Sequence, residues 1–140
     1  MGREVWTIAG ALALAGCGKP AALAVEDAWV RLPAVPGRPA AAYLTLRGGA
    51  ADATLARVAT PAARAAELHE SMARGMRPVT SVPVPAGRTV TLAPSGLHVM
   101  LFDVDPKLAA GGAVPLLLDF SDGRRLTISA RLVGPADPAP

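Results

Sequence analysis

The sequence has one cysteine, Cys17, and few aromatic residues, 4% of its 140 positions. A single cysteine excludes an intramolecular disulfide. Beyond position 17 the chain has no thiol, so its body can neither build a blue-copper centre, which needs a thiolate, nor reduce a disulfide itself. Positive charge is in excess, formally +3, but it is never concentrated; only Arg124 and Arg125 are adjacent basic residues. A phosphate backbone is met by clustered charge and stacking aromatics, so nucleic-acid binding is excluded. Long hydrophobic runs are also missing. The stretch from Trp6 to Gly16 falls short of the roughly 20 residues that a membrane-spanning helix needs. Fourteen prolines spread along the chain leave no room for a long helix.

What is present reads as one globular domain, 51% hydrophobic and 18% charged. The apolar run at the N-terminus has the length of a signal-peptide core. It follows Arg3 and ends in Leu14-Ala15-Gly16-Cys17, which resembles the lipobox of bacterial lipoproteins; Glu4 in the leader departs mildly from that pattern. The resemblance implies a signal peptide over 1–16, a diacylated Cys17 as the mature first residue, and a tether over 17–24 on the periplasmic side of a membrane. The folded domain is expected over 25–133, followed by a disordered tail at 134–140.

Within that domain, short segments alternate with Pro- and Gly-rich punctuation. Strand-like stretches occupy 28–32, 41–47, 53–59, 65–71, 76–79, 88–93, 97–104, 114–120 and 125–133. Short strands spaced about 8–12 residues apart with turn residues between them indicate an all-β sandwich or barrel. "RTVTLA" and "RLTISARL" alternate with period 2, and "SDGR" between the last two segments is a hairpin signal. The alanine-rich stretch 61–73 competes as a helix.

The chemistry-bearing residues gather in one place. His69, Met72, Met76, His98 and Met100 fall within 32 residues, and they are all the histidines and all the methionines after the initiator. On a strand, positions i and i+2 share a face about 6.5–7 Å apart, so His98 and Met100 in "GLHVM" emerge side by side. Val99 and Leu101 form the better core pair, which turns His98 and Met100 to the opposite face. Leu68 opposes His69 in the same way, and His69 shares its side with Glu67 and Ser71. Two histidines turned from the core suit a shallow, exposed site. Thioether sulfur is a soft donor suited to Cu(I) and poor for Ca²⁺ or Mg²⁺, and imidazole also suits copper. Zinc sites more often use Cys or carboxylate. Without a haem-attachment motif, copper binding without redox turnover is the chemistry this donor set fits best. A packing role for the same residues, in a lipoprotein adhesion or assembly module without a metal, stays open at this point.

"ELHES", "GMRPV" and "GLHVM" together resemble the signature of the periplasmic copper chaperone family PCuAC. In that signature a His and a downstream Met precede a 21-residue interval and then His-x-Met. Residues 77–97 supply the 21-residue interval between Met76 and His98-Val99-Met100. "DAWVRLP", "AAYLTLR", "VPAGRTVTLAPSGLHVML" and "VPLLLDFSDG" extend the resemblance over nearly the whole domain. It implies a cupredoxin-like or immunoglobulin-like β-sandwich that is not an enzyme. It further implies one Cu(I) held by His69, Met76, His98 and Met100. The implied partners are a copper acceptor, such as the binuclear copper subunit of cytochrome c oxidase, and thiol-disulfide assembly proteins. The connection from His69 to Met76 has six residues, shorter than the family's usual one. Met72 lies inside it and is the alternative sulfur; Met76, preceding "RPV" as in the family pattern, is preferred.

Overall fold

The turn-punctuated pattern folds as ten strands and no helix in a computed structural model that describes Gly2 and residues 21–140. In chain order they are β1 (Ala24–Arg31), β2 (Ala40–Arg47), β3 (Ala53–Ala59), β4 (Ala63–Met72) and β5 (Gly75–Pro78). The rest are β6 (Val82–Val84), β7 (Thr89–Leu92), β8 (Leu97–Val104), β9 (Ala113–Phe120) and β10 (Arg125–Val133). Cys17 and the expected leader, Gly2 apart, lie outside the described residues.

Hydrogen bonding connects the strands in the order β5-β4-β8-β2-β1-β10-β9-β3-β6, with β7 against the far half of β2. Strand β2 is shared along its length: Ala40–Ala42 pair with β8, and Leu44–Arg47 pair with β7. The β1–β10 pair is parallel, and the other pairs are antiparallel. The ribbon folds back on itself as a β-sandwich. Val99 and Leu101 of β8 therefore share one core with Leu55 of β3 and Leu116 and Leu118 of β9. Alternation does the sorting, because the strands that face the core send side chains into it from alternate positions, whereas edge strand β5 is wholly exposed.

Each of the nine expected segments contains a strand, including 97–104 and 125–133 with the expected ends. The β9–β10 hairpin turns through Ser121–Arg124, with Gly123 at φ 90° and Arg125 paired to Asp119 across the ladder. The stretch 61–73 is strand, not helix, because β4 pairs with β8 on one side and β5 on the other. Cross-strand partners override alanine's helical preference. Strand β6 was not legible, since Pro83 interrupts it. Proline is tolerated there because β6 ends the sheet and Pro83 needs to donate no ladder bond on its outer side.

The structure also packs residues at both expected margins. Leu23 is buried and the Ala50 amide donates to the Ala21 carbonyl at 2.9 Å, so this part of the expected tether lies on the domain. At the other end, Arg31 donates to the carbonyls of Gly134 (3.2 Å) and Asp137 (2.7 Å). The Gly134 amide meets the Asp137 carboxylate at 2.6 Å. The start of the expected disordered tail is thus held as a turn.

Leu101 and Met100 are neighbours on β8 with opposite roles, and Leu101 is only 1% exposed. Leu101→Ala should cost about 2–5 kcal/mol by urea denaturation, because it leaves a cavity in the core. Met100→Leu, close in volume and on the other face, should cost less than about 1.5 kcal/mol. Equal losses would contradict this division of faces.

Candidate metal centre

The outer face of β4, β8 and their neighbours collects the polar and soft donors. In the β4–β8 ladder His69 is the direct partner of His98, and Glu67 the partner of Met100. Met76 on β5 pairs with Ser71, which lies two positions from His69, so Met76 shares the histidines' face. Met72 has the parity of Leu68, the buried residue of β4, and falls on the opposite face. Register alone therefore separates the two candidate sulfurs. The turn between them is tight: Met72 pairs with Gly75, whose φ of 94° is a left-handed conformation that glycine adopts at no steric cost.

His98 is the hub. Its Nδ1 lies 2.9 Å from the Gly96 carbonyl oxygen and its Nε2 lies 3.1 Å from Met76 Sδ. A carbonyl only accepts, so Nδ1 carries the proton, and in the neutral ring Nε2 presents its lone pair toward a thioether. Two lone-pair donors facing each other with no proton between them suit a cation. The Gly96 carbonyl is fixed by the turn before β8: Ser95 takes φ 69°, Gly96 N donates to Ala93 O, and the same Gly96 oxygen accepts from Ser71 N at 3.1 Å. A left-handed serine costs about 1–2 kcal/mol. That strain sits where the chain aims the carbonyl at His98.

His69 is placed by different contacts. Its ring centroid is 6.0 Å from that of His98 and 6.5 Å from that of Phe102. Its Nε2 lies 3.0 Å from Glu67 Oε2, whereas its Nδ1 is buried with no hydrogen-bond partner. Buried imidazole nitrogens normally have a partner, so the His69 Nδ1 lone pair is free to accept from a water or to bind an ion. Met100 lies two positions along β8 from His98, on the same face. Among the described residues no three His, Cys, Asp or Glu side chains converge as metal ligands. A multidentate site on this face therefore draws on the thioethers, and the donor set fits a soft ion.

Exposure is distributed differently from the sequence expectation. His98 is 4% exposed, whereas Met76, on a wholly exposed edge strand, is 54% exposed. Tyr43, whose ring centroid is 6.4 Å from that of His98, walls the imidazole, and Trp29 stacks on Tyr43 at 4.4 Å. Arg31 in turn sits 5.1 Å over the Trp29 ring. The site is thus a buried imidazole beneath an exposed thioether, not a shallow patch. Three of the chain's five aromatics, Trp29, Tyr43 and Phe102, lie on or around this face, a concentration that only the register reveals.

Burial pushes the Tyr43 phenol above its usual range, and the nearby Arg31 guanidinium opposes that shift. Tyr43 is the chain's one tyrosine, so ultraviolet titration reads it alone. It should ionise above the ordinary tyrosine value of about 10. Arg31→Ala should move it further up. Because the folded value is raised, the stability from this group is complete below about pH 10 and lost as pH climbs through the folded value. Ionisation at or below the ordinary value would contradict the burial of this ring.

The chain is similar to known proteins in sequence and in fold. The LpqE-like family, whose description is a lipoprotein one, matches residues 23–132. Lxx21020 of Leifsonia xyli subsp. xyli (strain CTCB07), which carries a lipoprotein name, is 33% identical over 104 residues, 71% of this chain. The chain spans 62% of the length of that relative. Among solved structures, Cu(I)-bound DR1885 from Deinococcus radiodurans is 34% identical, with a TM-score of 0.63 over 76% of this chain and 74% of that one. The copper-bound PCuAC domain from PmoF2 superposes with a TM-score of 0.70 over 84% of this chain and 100% of that domain. At 24% identity that likeness is one of fold, a cupredoxin-like β-sandwich. With the family matched over most of its length and a solved relative above 30% identity, the chain belongs to the LpqE-like family, which is of the PCuAC copper-chaperone type.

Proposed function

We propose that this protein is an extracytoplasmic copper chaperone that holds one Cu(I) through His69, Met76, His98 and Met100. The observation that carries the reading is the Nε2 lone pair of buried His98 facing Met76 Sδ at 3.1 Å. The unpartnered Nδ1 of His69, on a ring centred 6.0 Å from that of His98, supports the same reading. So does the relative DR1885, solved with Cu(I) bound. Two imidazoles and two thioethers form a neutral, soft donor set that favours the monovalent ion.

Delivery follows from exposure. Met76 is the outermost of the four donors, and it sits on the edge strand β5. An incoming partner's sulfur can replace Met76 first, while His98 still holds the ion from below. Copper then moves by ligand exchange: each copper–donor bond lost here is replaced by one to the acceptor, and no covalent bond or oxidation state changes. The acceptor in this reading is a protein with more numerous or softer donors, such as the binuclear copper subunit of cytochrome c oxidase. Thiol-disulfide proteins would keep that acceptor's cysteines reduced, because this domain has no thiol beyond Cys17. Cys17 would carry the lipid that holds the chaperone at the membrane.

Competition against a Cu(I) chelator under reducing conditions tests the ligand set. The wild-type chain should bind one equivalent, more tightly than Zn²⁺. Met76→Leu should weaken binding by at least about tenfold, since even partners one shell further out are worth about 10–100-fold. Met72→Leu should leave affinity nearly unchanged. A silent Met76→Leu with a damaging Met72→Leu would reverse the assignment, and equal or tighter zinc binding would sink the soft site.

The anchor is tested by fractionation. Cys17→Ser should move the protein from the membrane to the soluble fraction, because stable attachment requires more than one hydrophobic signal. Wild-type protein already in the soluble fraction would contradict lipidation at Cys17.

A further inference from the structure

Glu67 is outside the expected ligand set, yet it makes the polar side-chain contact that His69 has. Its Oε2 lies 3.0 Å from His69 Nε2, and it faces Met100 across the β4–β8 ladder. The contact follows from strand geometry: positions 67 and 69 share a face, so a carboxylate and an imidazole two residues apart can meet. The geometry points to Glu67 as a positioning residue that fixes His69, so that Nδ1 of His69 and Nε2 of His98 are the two ligating nitrogens. This inference rests on the copper reading for the identity of the ion.

A carboxylate accepts, so His69 Nε2 carries the proton and donates it, leaving the lone pair on Nδ1. Nδ1 is the nitrogen that is buried without a partner. His98 has the mirror arrangement: its Nδ1–H donates to the Gly96 carbonyl, which leaves the lone pair on Nε2. Each histidine is therefore held at one nitrogen and open at the other, the usual arrangement of a metal-ligating imidazole. The two holders differ in kind. Gly96 offers a fixed backbone dipole, whereas Glu67 offers a full negative charge. Two imidazoles and two thioethers are all neutral, so a bound Cu(I) keeps its single positive charge. Glu67, one hydrogen bond from a ligand, is the anion placed to balance it. The Glu67 side chain is 55% exposed and that of His69 15%, so the holder reaches solvent far more than the ligand does. Replacing Glu67 should therefore leave the fold intact.

Long-range proton–nitrogen NMR of the full, nitrogen-labelled chain tests the assignment with and without Cu(I). In the metal-free protein His69 should show a protected Nε2–H. Glu67→Ala should abolish that protection, and Glu67→Gln, which keeps an acceptor oxygen, should retain it. Adding Cu(I) should shift Nδ1 of His69 and Nε2 of His98. Glu67→Ala should weaken Cu(I) binding by about tenfold or more, with Glu67→Gln, which keeps the acceptor but not the charge, recovering only part of the loss. A Cu(I)-induced shift at Nε2 of His69 would overturn the assignment, as would protection in Glu67→Ala equal to wild type. If Cu(I) shifts neither histidine, the copper reading fails, while the metal-free spectra still decide whether Glu67 holds the ring.

Discussion

The ladder between β4 and β8 is the constraint on which the site depends. It sets His69 against His98 and Glu67 against Met100, and it turns Leu68, Val99 and Leu101 to the core. A slip of one residue would exchange the faces, burying the soft donors in the core and exposing the leucines. The hydrophobic side of the ladder therefore guards the chemistry of the other side. Val99 and Leu101 are almost fully buried, so the register has little freedom to drift. The same two strands supply part of the core and most of the candidate donors, which ties the geometry of the site to the stability of the domain.

Around that ladder, three kinds of contact finish the site. Backbone does the first: the left-handed Ser95 turn sets the Gly96 carbonyl, which accepts one hydrogen bond from His98 Nδ1 and one from the Ser71 amide. Charge does the second, through Glu67 on His69. Aromatic surface does the third, with Tyr43 and Phe102 flanking the histidines and Trp29 stacked behind Tyr43. Walls of this kind exclude water from His98 and strengthen its interaction with an ion. Met76 lies outside the walls, on the edge strand. In the proposed copper reading, holding and releasing fall to different parts of the fold: a buried imidazole for the first and an exposed thioether for the second.

Period-2 alternation made much of this legible before any coordinates. It separated Val99 and Leu101 from His98 and Met100, Leu68 from His69, and it put Glu67 on the histidine's side. The PCuAC spacing selected Met76, which the observed register puts on the histidines' face, with Met72 opposite. Other features depend on contacts distant in sequence, which no local pattern encodes. His98 is buried because Tyr43 and Met76 come from other strands to cover it. Strand β6 escaped notice because Pro83 is acceptable only at a sheet edge, and edges are a property of the assembled sheet. The alanines of β4 leave helix in competition with strand until β8 and β5 are there to pair with that segment. The turn after β10 is ordered by Arg31, more than a hundred residues earlier.

The central claim is that soft sulfur and imidazole nitrogen from this one face hold the ion together. X-ray absorption at the copper edge of the Cu(I)-loaded protein reads those donors directly. The account predicts a first shell of two sulfurs and two nitrogens, with one sulfur lost in Met76→Leu and none lost in Met72→Leu. A shell of nitrogen and oxygen alone, or one unchanged by Met76→Leu, would contradict it.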